Sequence, residues 1–293
     1  MMTSRTVANA LLHELSFCDG EAHPADNPHS FAFELDFEPE RVWPDMPFDT
    51  SSPLARYPIS ARDEVLEVVG AVARLSGARA PRALDFINAH MKEVLVCRSS
   101  AIDGASSASN REHVGSCVLT NMHAPADRVL VCAEALVHES IHQYLYKTEV
   151  ESGNFCDLGE ERTYRSPWSG NRIPLHSLIH ACFVWYGLLT FWCQLAQSAD
   201  VEEEAFLVRE KASQVMFGFA FVHQMLADPA FPPGSVKPDI VALIDRIAQH
   251  MSTPGFHAAQ PRTLQDLLRR WESGDWIPHL AASLRRVEAF DLA

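Results

Sequence analysis

Apolar residues recur every three or four positions over most of this chain, which is the period of an amphipathic helix. The pattern predicts helices at residues 1–17, 60–76, 81–91, 201–226, 239–251, 263–271 and 277–289. An uncharged run that begins at Pro174 and ends near Ala196 predicts a further helix, buried at the centre of the fold.

Strand signals are few. β-Branched residues predict strands at residues 93–97 and 114–119, and a short third strand at 129–131. The segment 99–110 is rich in Ser, Ala, Asn and Gly, and the segment from Lys147 to Ile173 is polar, so both are predicted to be loops. Many helices beside two or three strands predict a mainly α fold with a small β-sheet, of the α+β class.

Residues 18–59 contain seven prolines, so no regular element is expected there. Aromatic residues in the same segment indicate that it packs down on the fold. A long irregular segment of this kind is typical of a cover over a site. We expect a single domain over residues 1–293, because the Pro-rich stretch 229–238 is not expected to separate domains.

The chemistry of the chain centres on His138, Glu139 and His142, which form an HExxH motif in the apolar run 129–146. Residues four apart on a helix lie on one face, so the two imidazoles could take a single metal ion. Glu139 could accept a proton from metal-bound water or steady a metal ligand. The fold is predicted to resemble the zincins, with the HExxH helix packed against a second buried helix.

Two histidines need a third ligand, and the motif does not supply it. The longer form HExxHxxGxxH is absent, since Leu145 and Thr148 replace its Gly and its third His. The remaining candidates are His176, His180, Glu149, Glu151, Glu160 and Glu161. His176 and His180 are again four apart, and a helix antiparallel to the first could bring one of them to the metal. Such a ligand set suits Zn(II) and Fe(II) equally.

The formal net charge of −14 argues against nucleic acid or an anionic membrane as the main partner. The seven cysteines show no CxxC pairing, and several lie in apolar runs, which favours a reducing, cytoplasmic location. No secretory signal is expected at residues 1–17. The uncharged run is long enough to cross a membrane, but it has no flanking cationic cluster, so a buried helix is favoured. The sequence leaves the oligomeric state open, and a homo-oligomer is among the alternatives.

Three blocks in order carry a resemblance to a known family. They are Ala133 to His142, Arg165-Ser166-Pro167-Trp168, and Pro174 to Ala181. Together they resemble the HExxH-motif peptide-modification proteins found with the biosynthesis of ribosomally made peptides. This resemblance, which covers about residues 129–192, implies an iron- and 2-oxoglutarate-dependent hydroxylase that acts on a side-chain carbon of a peptide substrate.

The resemblance also implies roles for individual residues. It makes His138, His142 and His180 the metal ligands, with His176 in reserve. It makes Glu139 a residue that contacts the ligands and does not act as a hydrolytic base. The family commonly has Arg after Ser-Pro-Trp, where this chain has Ser169. Binding of 2-oxoglutarate is therefore expected to fall to Arg172 or Arg165, because an Arg fork is the natural partner of a carboxylate.

Two other functions remain open from the sequence. The first is a zinc-dependent metallopeptidase, in which Glu139 is the general base and Glu160 or Glu161 is the third ligand. The second is a non-catalytic helical binding protein with a fortuitous HExxH.

Overall fold

The computed structural model of the chain describes residues 4–15, 30–42, 54–100, 104–124, 127–168, 171–197, 215, 218–219, 221–223 and 225–251. The helices are α1 (Ser4–Leu15), α2 (Ile59–Arg79), α3 (Pro81–His90), α4 (Arg128–Ser152), α5 (Leu175–Gln197) and α6 (Pro238–Met251). The strands are β1 (Glu34–Asp36), β2 (Glu93–Cys97), β3 (Ser106–Ala108), β4 (Ser116–Thr120), β5 (Thr163–Arg165) and β6 (Arg172–Pro174). The predicted mainly α fold with a small sheet is confirmed.

The described residues fall into two compact units. The sheet unit comprises those of His13–Gly153, and the α5 unit comprises those of Met1–Leu12 and Asn154–Ala293. The prediction of one domain is not tested by this division and stays a prediction. The predicted helices 263–271 and 277–289 lie outside the described residues, as do Cys18 and most of residues 201–226.

The sheet unit is built on four strands in the order β1-β2-β4-β3, with β1, β2 and β4 parallel and β3 antiparallel to β4. Side chains alternate between the two faces of such a sheet. On one face, Leu95, Cys97, Ala108 and Val118 pack against Val42 and Leu54. Helices α2 and α3 pack on α4, whose own contacts with β3 and β4 place it on the opposite face.

Helix α4 carries the HExxH motif and is longer than the sequence predicts. The predicted strand at 129–131 is wrong, because these residues form the first turn of α4. Val129 and Val131 are β-branched, but nothing breaks the helical pattern after them, and packing decides the outcome. The predicted loop after Lys147 also begins too early. α4 continues to Ser152 and ends at Gly153, whose φ of 86° is favoured by glycine.

Three-residue strands were missed. β1 lies inside the Pro-rich segment, and β3 lies inside the predicted loop 99–110. β5 and β6 form a hairpin between α4 and α5, in the segment predicted to be a polar loop. Such short strands have too few residues to show an alternating pattern, and they exist because a neighbouring strand supplies hydrogen bonds. Of the Pro-rich segment, residues 18–29 and 43–53 lie outside the description.

Helix α5 dominates the α5 unit and follows β6 directly. The span Leu175–Leu195 is apolar and long enough to cross a membrane, yet 83% of the tested window is buried. The core helices of soluble proteins pass the same test. The burial of α5 agrees with the predicted buried helix. The partners and the cellular location of the chain stay predictions.

Candidate metal centre

His138 and His142 lie side by side on α4. Their ring centroids are 4.9 Å apart, with an angle of 54° between the rings. Two nitrogens that share a tetrahedral ion at about 2.1 Å from each lie roughly 3.3 Å apart, and rings at this spacing can reach that geometry. Both residues are half-buried; the side chain of His138 is 32% exposed. An ion could therefore reach this pair from solvent.

Glu139 points to a different side of α4 from the histidines, because successive residues on a helix are rotated by about 100°. Its side chain is only 2% exposed. Ser107 Oγ donates a hydrogen bond to Oε1 (2.7 Å), and Ser109 Oγ donates one to Oε2 (2.6 Å). The distance from Glu139 Oε1 to His138 Nε2 is 4.0 Å. Both carboxylate oxygens are thus bound to the end of β3.

Gln143, four residues after Glu139, ties the same side of α4 to β4. Its Oε1 accepts a hydrogen bond from the backbone N–H of Gly115 (2.6 Å), and its Nε2 donates one to the carbonyl of Ser116 (2.9 Å). Glu139 and Gln143 therefore fix the rotation of α4 about its axis. The sequence analysis missed Ser107, Ser109 and Gln143. The available signal was a second polar pair at the same four-residue spacing as the histidines.

His176 and His180 form a second pair within the α5 unit. Their ring centroids are 4.2 Å apart, and a ligand nitrogen of one lies within 4.8 Å of a ligand nitrogen of the other. His180 is 1% exposed, and the ring of Phe155 lies 5.7 Å from its ring. This pair is close enough to share one ion. The predicted sharing of one ion by His180 with His138 and His142 stays a prediction.

Arg165 and Arg172, the two predicted 2-oxoglutarate ligands, are paired directly across the β5–β6 hairpin. Directly opposite residues of an antiparallel pair project to the same face. Arg165 is half-buried and Arg172 is exposed. The fold therefore brings two guanidinium-bearing residues to one face of the hairpin, just before α5. Trp168 of the same block stacks on Trp185, with centroids 6.0 Å apart; Ser169 lies outside the described residues.

The acidic candidates for a third ligand differ in their surroundings. Glu149 is buried, but at about 1.5 Å of rise per residue its Cα lies roughly 10 Å along α4 from that of His142, too far to share an ion held by His138. Glu160 binds Arg162 through both oxygens, at 2.7 and 2.8 Å, and hydrogen bonds from the Arg162 side chain and backbone lower its pKa to about 2. Glu151 and Glu161 are exposed. None of the four has the setting of a ligand completing the HExxH pair.

Three buried thiols of the sheet unit offer no better ligands. Cys97 and Cys132 are buried in the sheet unit, and burial raises the pKa of each to about 12. Burial, followed by the nearby Glu139 charge, also holds the pKa of Cys117 well above its usual value. A metal ligand must be the thiolate, so these residues act as small apolar side chains, as the sequence predicts for Cys97 and Cys132.

No protein-family model matches this chain, and no curated protein matches it.

Proposed function

We propose that this chain is a non-haem Fe(II)- and 2-oxoglutarate-dependent oxygenase that hydroxylates a side-chain carbon of a peptide. The observation that carries the proposal is the separation of roles on α4. His138 and His142 form a pair that fits one ion, while both oxygens of Glu139 are bound by Ser107 and Ser109. A peptidase would need that carboxylate to accept a proton from a metal-bound water, a role that competes with these two hydrogen bonds.

The proposed ligand set is His138, His142 and His180, with His176 as the reserve for the third position. The first two are supported by their geometry, and the third by the resemblance of the sequence blocks alone. Three protein ligands leave positions for a co-substrate and O₂. Iron, when bound, supplies the redox chemistry by which O₂ oxidises a substrate C–H bond while 2-oxoglutarate is decarboxylated to succinate.

Arg165 and Arg172 are the proposed anchors for 2-oxoglutarate. Their cross-strand pairing supports this role, since two guanidinium groups on one face can form several charge-assisted hydrogen bonds to a carboxylate. In a chain with a net charge of −14, a local cationic pair is the natural place for a dianionic co-substrate. The acidic remainder suits a neutral or cationic peptide, and the segment 18–59 is proposed to cover it.

Succinate release tests the proposal. The protein is purified without oxygen and loaded with Fe(II), and succinate is measured with 2-oxoglutarate, with and without a pool of synthetic peptides. We expect slow turnover alone and faster turnover with an accepted peptide, together with a mass gain of one oxygen on that peptide. Absence of succinate in a sample shown to contain iron would contradict the proposal. Zn(II) serves as the inactive control metal.

A second candidate is a zinc-binding protein, with peptidase activity as its catalytic form. The closeness of His176 and His180 favours a zinc ion held at α5. Stoichiometric zinc that is retained in His142→Ala but lost in H176F/H180F would favour this candidate, and peptide cleavage by that zinc-loaded protein would show its catalytic form.

A further inference from the structure

Ser107 and Ser109 lie two residues apart at the end of β3, so their side chains project to the same side of the strand. That side faces α4, because each hydroxyl reaches one oxygen of Glu139. Ser106 and Ala108 alternate with them, and Ala108 packs in the cluster on the other face of the sheet. The two serines thus form a matched pair of donors aimed at one buried carboxylate.

These contacts decide which way the HExxH helix is turned. Glu139 and Gln143 are four residues apart and bind β3 and β4 respectively, so α4 is attached to the sheet at two points one turn apart. Rotating α4 would break hydrogen bonds to a side chain that is 2% exposed, which leaves buried polar groups without donors and is strongly unfavourable. His138 and His142 are consequently held in one direction before any ion binds.

We propose that Ser107 and Ser109 are positioning residues for the metal site: they hold Glu139, and Glu139 holds the face of α4 that presents His138 and His142. This inference rests on the proposed function for the place of the metal, though not for the identity of the metal or the substrate. It assigns Glu139 a positioning role. Groups that orient metal ligands in this way typically contribute about 10–100-fold to the affinity for the metal.

The test compares S107A/S109A with S106A, in the full-length chain. S106A is the matched control because it removes a hydroxyl from the same strand on the opposite face. Its backbone carbonyl, which accepts a hydrogen bond from Thr120, is unaffected. Co(II) titration followed by visible absorption reports both affinity and ligand geometry. We expect the double variant to bind Co(II) about 10–100-fold more weakly with an altered spectrum, and S106A to match the parent.

Rescue separates positioning from general stability. S107T/S109T keeps both hydroxyls on residues that favour strands, so it should restore the affinity and spectrum, whereas a loss caused by weaker folding would follow the melting temperature instead. Equal Co(II) affinity in the parent and S107A/S109A would overturn the inference.

If the parent binds no Co(II), the proposed function fails in its choice of metal site, and hydrogen exchange still tests the positioning. Amides of residues 136–143 should then exchange at least about tenfold faster in S107A/S109A than in S106A. Unchanged exchange would overturn the inference on its own.

Discussion

The chain contains two histidine pairs with the same spacing in sequence and very different surroundings. His138 and His142 are half-buried, and the neighbouring side of their helix is tied to the sheet by Glu139 and Gln143. His176 and His180 begin an almost wholly apolar helix, and His180 is fully buried beside Phe155. Both pairs have their rings within 5 Å. Spacing alone therefore does not identify the metal site.

A pair of histidines that binds a metal ion needs more than proximity. An ion must arrive from water, so partial exposure favours the α4 pair as the point of entry. Its ligands must keep their direction, and polar attachments to a sheet provide this. In the α5 pair, His180 is 1% exposed, so its ring is less accessible than those of the α4 pair to an ion that arrives from water.

The largest effect should come from removing a ring of the α4 pair. His142→Ala should lower the bound metal from about one ion per chain to under about a tenth, and succinate formation should fall by at least about 10³-fold, because a catalytic site needs three protein ligands and only His138 and His180 of the proposed set would remain. Metal analysis of protein purified without oxygen measures the first quantity. His13→Ala, an exposed histidine on α1, is the matched control. Full metal content in His142→Ala would move the site to α5.

The next prediction divides the α5 pair. His180→Phe keeps a ring of similar size beside Phe155 but removes both nitrogens, so packing is largely retained while ligation is lost. We expect metal affinity to fall by about 100-fold or more in His180→Phe and by about tenfold or less in His176→Phe. Isothermal titration measures both. The reverse order would make His176 the ligand, and no loss in either would leave the α4 pair with a different third ligand.

Much of this arrangement could be predicted from the sequence, because it depends on local spacing. The HExxH segment is helical, and four-residue spacing puts His138 and His142 side by side. The uncharged run is the buried helix α5. Two parallel strands, β2 and β4, lie close to their predicted positions. These features are fixed by hydrophobic period and by helix geometry, which a single sequence displays.

What the sequence could not predict depends on contacts between distant residues. Ser107 lies in a segment whose composition is that of a loop, and it belongs to a strand only because β4 pairs with it. Its bond to Glu139 joins residues 32 positions apart, which no local pattern records. The same holds for the first turn of α4, where β-branched residues favour a strand and packing within the sheet unit selects a helix.

Changing the cationic pair should have a smaller effect, confined to the co-substrate. Arg165→Gln and Arg172→Gln should each raise the KM for 2-oxoglutarate by about 10–100-fold, because a charge-assisted hydrogen bond contributes about 1.5–3 kcal/mol. The metal content should not change. Steady-state succinate assays at several 2-oxoglutarate concentrations measure the KM, and Arg162→Gln, whose partner is Glu160, is the nearby control. An unchanged KM in both variants would leave the anchor unassigned.

The smallest effect concerns His90, a histidine of the sheet unit that belongs to neither pair. His90 lies between the rings of Phe86 and Tyr144, at 4.4 and 4.8 Å, and burial, followed by the charge of Lys147, lowers its pKa to about 4. The unfolded chain therefore takes up the proton near pH 6.5 and the folded chain only near pH 4, so stability is complete above pH 6.5 and falls as the pH drops through this window.

His90→Phe should remove that loss, which amounts to about 1–2 kcal/mol between pH 7 and pH 5 in the metal-free chain. Urea unfolding at both pH values measures it as the difference between parent and variant. Because the two histidine pairs are unchanged in both proteins, their own protonation cancels in this difference. The effect should also persist after metal is added at fixed concentration, whereas loss of metal at low pH should be the same in parent and variant. Equal pH dependence in the two proteins would show that burial between two aromatic rings does not keep His90 neutral.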